Sequence, residues 1–394
     1  MFNIKTLDNI SNTGLSRFPN SHYHINNDTA APDAIIVRSH DMHTTELPPS
    51  VVIVGRAGAG TNNIPITKFT NMGIPVLNTP NANANAVKEL VLAGMLMACR
   101  NLQPAAQFVQ ELTGDDATMN VTAEKNKKRF SGFELPGRTL GVIGLGAIGV
   151  KLANSALALG MKVIGYDPLI SVRRAWELSA AVQQAHSLEE LLKYSDFISL
   201  HVPLNDETRG LINALRLQIL KPEAILLNFS RDGVVENDAV VTALAEKRLR
   251  TYVCDFPANI LKGNPQVICL PHLGASTLEA EENCAIMIAD QIQEYLEQGN
   301  IKNSVNFPDV TMPMGSGFRL TIANANVPAM VSQISSKLGD AGLNITDMIN
   351  KSRGEIAYTL FDVDQALSAE ILAEIKDIKG VLRVRHIPGS KAPM

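Results

Sequence analysis

The chain has 394 residues, enough for two or three domains and too many for one ordinary core. Apolar residues make up 45% and charged residues 19%, a globular composition, and a formal net charge of -4 excludes any strong pull towards nucleic acid or an anionic membrane. Four widely spaced cysteines without a CxxC pair argue against a metal or disulfide framework. With no signal-like start and no apolar run long enough to span a bilayer, they predict a cytoplasmic protein.

In chain order, "DAIIVRS", "SVVIVGRAG" and "IPVLNTP" read as strands of a first α/β lobe, with a helix at "IPITKFTNMG". The second strand opens into "GRAGAGTNNI". There Gly58, Ala59 and Gly60 expose consecutive backbone N–H groups, a small anion nest, and Arg38 and Arg56 add positive charge. A long apolar helix follows at 85–103, and "EKNKKRF" at 124–130 reads as a solvated loop.

From Gly137 onward, short β-branched strands alternate with amphipathic helices, the pattern of a parallel sheet covered on both faces. "GLGAIG" falls between a strand and a helix. Gly144 permits the tight turn, Gly146 lets backbone approach a pyrophosphate, and Gly149 allows helix to pack on strand. Asp167 ends the next strand, where a carboxylate binds a ribose 2′-OH and repels a 2′-phosphate, so NAD is expected rather than NADP. Arg231, in "NFSRDG", follows a later strand at the carboxyl edge of the sheet and suits bidentate capture of a carboxylate. His272 follows "PQVICLP", the last strand, as a candidate proton-transfer group. His201 ends another strand and is expected to line the cofactor crevice.

The helix 279–300 leads the chain back to the first lobe, which makes the substrate domain discontinuous, with a cleft between two lobes. Residues 306–317 read as a linker, and 318–394 run strand, helix, strand, strand, helix, strand, a ferredoxin-like order. The expected domains are therefore 1–97 with 285–305 for substrate, 98–284 for the dinucleotide, and 318–394 for binding or assembly. His22, His24, His40 and His43 lack metal-ligand spacing and read as surface residues; His186 and His386 read as solvent-facing.

These stretches together, with "NANANAVKEL", "LHVPL" and "PHLGAST", resemble the D-isomer-specific 2-hydroxyacid dehydrogenases, over nearly the whole chain. The resemblance implies two Rossmann-like doubly wound lobes and a C-terminal ACT domain of the short type. It also implies NAD-dependent oxidation of D-3-phosphoglycerate, with His272 as acid/base and Arg231 orienting the substrate carboxylate. Ala147, Ile148, Val202, Pro203, Thr208, Asp255 and Gly274 are then expected near the cofactor, and Arg38, Arg56 and the 58–60 backbone near the substrate's anionic groups. Asn324, Asn326 and Asn344 match positions that bind L-serine in regulated relatives, although some of those have a histidine in place of Asn324. The family's catalytic glutamate is missing: Asn259 or Ala258 stands where it falls, and neither an amide nor a methyl group can stabilise an imidazolium by charge. Oxidation of another D-2-hydroxyacid such as 2-hydroxyglutarate, or a weakened amino-acid sensor, remain as alternatives. A homodimer or homotetramer is expected, because helix 85–103 and the tail need partners to cover their faces.

Overall fold

The computed structural model describes residues 1–315 and 317–389. Ser316 of the expected linker and residues 390–394 of the expected tail thus lie outside the described residues. The chain forms two compact units: Ala84–Thr277, and Met1–Asn83 joined to the chain from Leu278 onward.

In the Ala84–Thr277 unit, seven parallel strands lie in the order Val267–Cys269, Leu249–Cys254, Ala224–Asn228, Phe197–Leu200, Thr139–Ile143, Lys162–Tyr166, Gln183–Gln184. Their central members are buried end to end, because helices cover both faces, and this is why they read as continuous apolar runs. Strand order reverses between Thr139–Ile143 and Phe197–Leu200, and ligands of open α/β sheets bind at the carboxyl ends beside such a point.

The boundaries differ from the expected 97/98 and 284/285. Helix Ala84–Cys99 belongs to the dinucleotide unit because Val87, Val91, Met95 and Ala98 bury one stripe against Leu140, Val142, Phe229 and Val253. Gly94 lets it lie close, since a Cβ there would come within 3.0 Å of Val253. Its main face is therefore covered within the chain. "EKNKKRF" is not a loop either. Helix Asp116–Asn126 and a 3-10 turn Lys127–Phe130 contain it, started by the Asp115 carboxylate, which accepts from Thr118 N at 2.9 Å.

The other unit holds a five-stranded parallel sheet in the order Tyr23–Ile25, Phe2–Thr6, Ala34–Val37, Ile53–Arg56, Val76–Leu77. Helix Leu278–Gln298 buries Ala285, Ile288, Ile292 and Tyr295 against Ile4, Ile36 and Ile53. Further on, strands Ile345–Arg353, Ile356–Val363, Phe318–Ala325 and Val381–Ile387 pair antiparallel in that order. Helices Met330–Asp340 and Ala369–Lys376 cover one face of this sheet, giving the expected βαββαβ fold.

Its opposite face corrects the idea of a linker. Ala323, Tyr358 and Leu360 share a core with Ile292, Tyr295 and Ile301, and Phe307, Val310 and Met312 of the expected linker are buried in it. Arg319, fully buried, uses all five N–H donors. Two grip the Asp362 carboxylate at 2.6 and 2.8 Å, and three reach the carbonyls of Gln298, Met312 and Pro313. Arg383 and Arg385 donate to carbonyls of Val51, Met72, Tyr295 and Leu296. His386 is not solvent-facing: it stacks on Phe318 at 5.6 Å with Nε2 buried and unpartnered, and desolvation lowers its pKa. Among the described residues no helix is long and apolar enough to cross a membrane.

Candidate active site

Gly144 ends strand Thr139–Ile143 with a φ of +91°, and a Cβ there would come within 2.7 Å of the His201 carbonyl oxygen; only glycine fits. Gly149 presses helix Ala147–Ala158 onto the turn, since a Cβ on it would collide with the Gly144 carbonyl. At Gly146 a Cβ would meet nothing within 4 Å. Open space thus lies at the N-terminus of a twelve-residue helix, where the first N–H groups, including those of Ala147 and Ile148, have no partner within the helix. A pyrophosphate fits that space and that positive pole.

Asp167 closes the turn from the next strand. Its Oδ2 accepts from Leu145 N at 2.8 Å and its Oδ1 from Leu169 N at 2.9 Å, which leaves lone pairs on both oxygens for ribose hydroxyls. His201 lies across the turn, with Nε2 2.9 Å from Ser199 Oγ. Part of the residue reaches the surface, but Nδ1 is shut away and unpartnered, and desolvation pushes the imidazole pKa down to about 3. The ring is therefore neutral at ordinary pH. After Val202, Thr208 Oγ1 donates to the Pro203 carbonyl at 2.5 Å and accepts from Asn205 N at 2.9 Å, which folds that loop on itself.

Three adjacent strands of the same sheet end near the chemistry-bearing side chains. His272 is exposed and sits at φ +60°, a conformation that ordinary side chains disfavour. The restraint comes from beneath. Asp255, 1% exposed, accepts from Leu273 N and Gly274 N at 2.7 Å each and so fixes the two residues after the histidine. Phe256 meets the imidazole edge to face, ring centres 5.2 Å apart. Among the described residues no side chain hydrogen-bonds the His272 ring, and the exposed Asn259 starts a short 3-10 turn without a side-chain bond. The ring is thus held by an aromatic contact and a clamped backbone, with no anion or amide on its nitrogens.

Arg231 is set in a parallel way. Asn228, 1% exposed at the end of its strand, donates Nδ2 to the Arg231 carbonyl at 3.0 Å, and its Oδ1 accepts from Ser230 N and Ser230 Oγ at 3.2 and 2.9 Å. The guanidinium donates to the Ser230 carbonyl at 2.6 Å, is otherwise exposed, and keeps donors for a carboxylate. Sequence reasoning missed Asn228 and the clamping role of Asp255.

In the other unit, Arg38 follows strand Ala34–Val37 and pairs with Glu281 at 2.6 Å. Asp8 orders its backbone by accepting from the N–H groups of Arg38, Ser39 and His40. Burial opposes the Asp8 charge, yet those bonds hold its carboxyl below the usual range. Arg56 Nε donates to Asn63 Oδ1 at 3.1 Å, and Gly58 tucks beneath the guanidinium, where a Cβ would strike Nη1. Gly58 N bonds the Arg56 carbonyl, whereas the amides of Ala59 and Gly60 find no acceptor among the described residues, so the nest is shorter than expected.

In the tail sheet, Asn324, Asn326 and Asn350 line a small open pocket with Val327 and Met330. Asn324 Nδ2 donates to the Ala325 carbonyl at 2.7 Å, but its Oδ1 is buried without a partner. Asn326 Nδ2 caps the Gly354 carbonyl at 3.0 Å. Asn344 does not line this pocket; it is exposed and bonds Asp364 through its backbone.

Residues 92–274 match the family described as D-isomer specific 2-hydroxyacid dehydrogenase, NAD binding domain. A D-3-phosphoglycerate dehydrogenase of Haemophilus influenzae is 34% identical over 352 residues, which are 86% of this chain and 82% of that protein. One from Methanocaldococcus jannaschii is 37% identical over 84% of this chain and 62% of its own length. Among solved structures, NAD+-bound 3-phosphoglycerate dehydrogenase of Entamoeba histolytica superposes with a TM-score of 0.60 at 25% identity, covering 77% of this chain and 98% of that one.

Proposed function

The chain belongs to the D-isomer-specific 2-hydroxyacid dehydrogenases, and from that premise we propose that it oxidises D-3-phosphoglycerate to 3-phosphohydroxypyruvate with NAD, the first step of L-serine synthesis. Bound NAD supplies the hydride acceptor. His272 takes the hydroxyl proton, and Arg231 grips the substrate carboxylate in a bidentate pair that fixes the reacting carbon and adds positive charge to the transition state. In the reverse direction the same ring returns the proton. One observation carries this reading: His272 and Arg231 both emerge from the carboxyl edge of one sheet, each on a loop tied down by a buried side chain, Asp255 and Asn228.

The Gly144–Gly149 turn, Asp167 and the His201–Thr208 segment are assigned to NAD, and Arg38, Arg56, Ala59 and Gly60 to the substrate's phosphate, on the chemistry of their donors. The pocket at Asn324 and Asn326 is assigned to an amino-acid effector such as L-serine, supported by the unpartnered Asn324 oxygen. A homo-oligomer belongs to the same reading, supported by exposed Leu96, Leu102, Val109 and Val121 on helices Ala84–Cys99, Leu102–Gln110 and Asp116–Asn126.

The deciding experiment follows NADH formation from D-3-phosphoglycerate and from D-2-hydroxyglutarate, with and without L-serine. Turnover of the first substrate, lost in His272→Ala, is expected. Turnover of the second alone would replace the substrate assignment, and serine binding without any turnover would reduce the chain to a sensor.

A further inference from the structure

Cys254 and Cys269 end neighbouring strands and are register partners, with Sγ atoms 3.6 Å apart and the Cys254 thiol donating towards the Cys269 sulfur. Their separation in sequence hid this pairing. Partners on adjacent strands lie about 4.8 Å apart at Cα, within the range of about 4.4–6.8 Å that a disulfide spans. Cys254 is fully buried and Cys269 is exposed, so one sulfur is reachable and the other waits behind it. Neither enters the chemistry proposed above, but each leads into it. Asp255 follows Cys254 directly, Leu270 N bonds the Cys254 carbonyl at 2.9 Å, and His272 comes three residues after Cys269.

We propose that Cys254 and Cys269 are a reversible oxidation site, closed to a disulfide by a hydroperoxide and reopened by a dithiol, and that closure slows the enzyme by displacing the His272 loop. With hydrogen peroxide, the Cys269 sulfur attacks the O–O bond and becomes a sulfenic acid as one water leaves. The Cys254 sulfur then displaces the hydroxyl from that sulfenic sulfur, and its thiol proton departs with it as a second water. Two electrons pass from the sulfurs to the peroxide, and one S–S bond forms. Burial pushes the Cys254 thiol up to about 12, so the second step is slow and quickens as pH rises. Bonding draws the sulfurs from 3.6 Å to about 2.05 Å. Strand Leu249–Cys254 is interior to the sheet, whereas Val267–Cys269 is a three-residue edge strand, so the shift falls on the edge strand and the loop it feeds. With Cys269 exposed, the bridge stays open to attack by a dithiol, and exposed disulfides are among the readily reduced ones.

The test treats the purified full chain with hydrogen peroxide, then with dithiothreitol, and reads three quantities at each stage. Peptide mapping is expected to find a Cys254–Cys269 cross-link. Amide exchange at Leu273 and Gly274 should rise as their bonds to Asp255 loosen. NADH formation should fall at least about tenfold, the scale of a sub-ångström to ångström misplacement, and recover on reduction. Cys269→Ser should keep the untreated rate and show none of the three changes. A bridge between two chains through Cys269, overoxidised Cys269 without the cross-link, a cross-link that leaves rate and exchange unchanged, or equal reversible inactivation of Cys269→Ser would each overturn the proposal. The rate arm rests on the dehydrogenase reading; mapping and exchange do not, so a chain that turns over no phosphoglycerate leaves those two arms to decide.

Discussion

Replacing Asp255 with asparagine tests whether the carboxylate beneath the loop is what places His272. The two native oxygens accept from Leu273 N and Gly274 N at 2.7 Å, in a side chain 1% exposed. An asparagine keeps one acceptor but aims an amide N–H at the other backbone N–H, so one bond is lost to a donor–donor contact. A hydrogen bond to a buried charged group contributes about 1.5–3 kcal/mol. If that energy is what holds the loop in its reactive position, kcat falls roughly ten- to a hundredfold, at about 1.4 kcal/mol per decade. The assay is steady-state NADH formation at saturating NAD and substrate, with amide exchange at Leu273 and Gly274 in parallel. Unchanged kcat would refute the argument. A rise confined to the KM for NAD would show instead that Asp255 serves the cofactor.

Asn228→Ala strips partners from the Arg231 carbonyl and from Ser230 N and Oγ, which should lower stability by about 1–3 kcal/mol in urea melts. It should also cut kcat/KM for the hydroxyacid more than it raises the KM for NAD; equal effects on both would remove Asn228 from Arg231 positioning. His201 makes stability pH-dependent: its folded pKa of about 3 lies below the ordinary 6.5, so the unfolded chain takes the proton first as pH falls. That contribution is whole above about pH 6.5 and drops by at most about 1.4 kcal/mol per unit below it. Urea melts at pH 7 and pH 5 should therefore differ less in His201→Asn than in the parent, and an identical difference would contradict the burial of this ring. Arg319→Ala leaves Asp362 charged, buried and unpaired, and should destabilise the unit by about 3–5 kcal/mol in calorimetric melts. A loss below about 1 kcal/mol, the scale of an exposed pair, would mean that solvent reaches Asp362.

The strands from Leu140 to Val267, apart from the exposed two-residue Gln183–Gln184, were legible because a sheet covered on both faces writes itself as short apolar runs, and the glycine turn because its spacing answers to steric demands at Gly144 and Gly149. Strands Phe2–Thr6 and Tyr23–Ile25 escaped because "FNIKT" and "YHI" are brief and half polar. An amphipathic stripe states that helix Ala84–Cys99 buries a face, but not against which sheet, so the domain boundary slipped. The segment 306–317 looked like a linker because its prolines, glycines and serine carry no periodicity, while Phe307, Val310 and Met312 anchor it in the core and the Asn306 side chain ties it to Val76 and Ile74. Asn228 and Asp255 were illegible as clamps for a different reason. Side-chain bonds to backbone amides and carbonyls leave no periodic trace, and Asp255 reaches across 18 and 19 residues of chain.

Arg319 and the apolar face around Tyr358 have a practical corollary for anyone hoping to trim this protein. Cutting the chain ahead of Phe318 would not release a self-sufficient catalyst from an optional appendage. It would lay bare Tyr295, Ile301 and Phe307 and strand the carbonyls of Gln298, Met312 and Pro313. A shortened version should come out of cells as insoluble material, and the tail is better regarded as a structural wall of the lobe it seals than as an attachment.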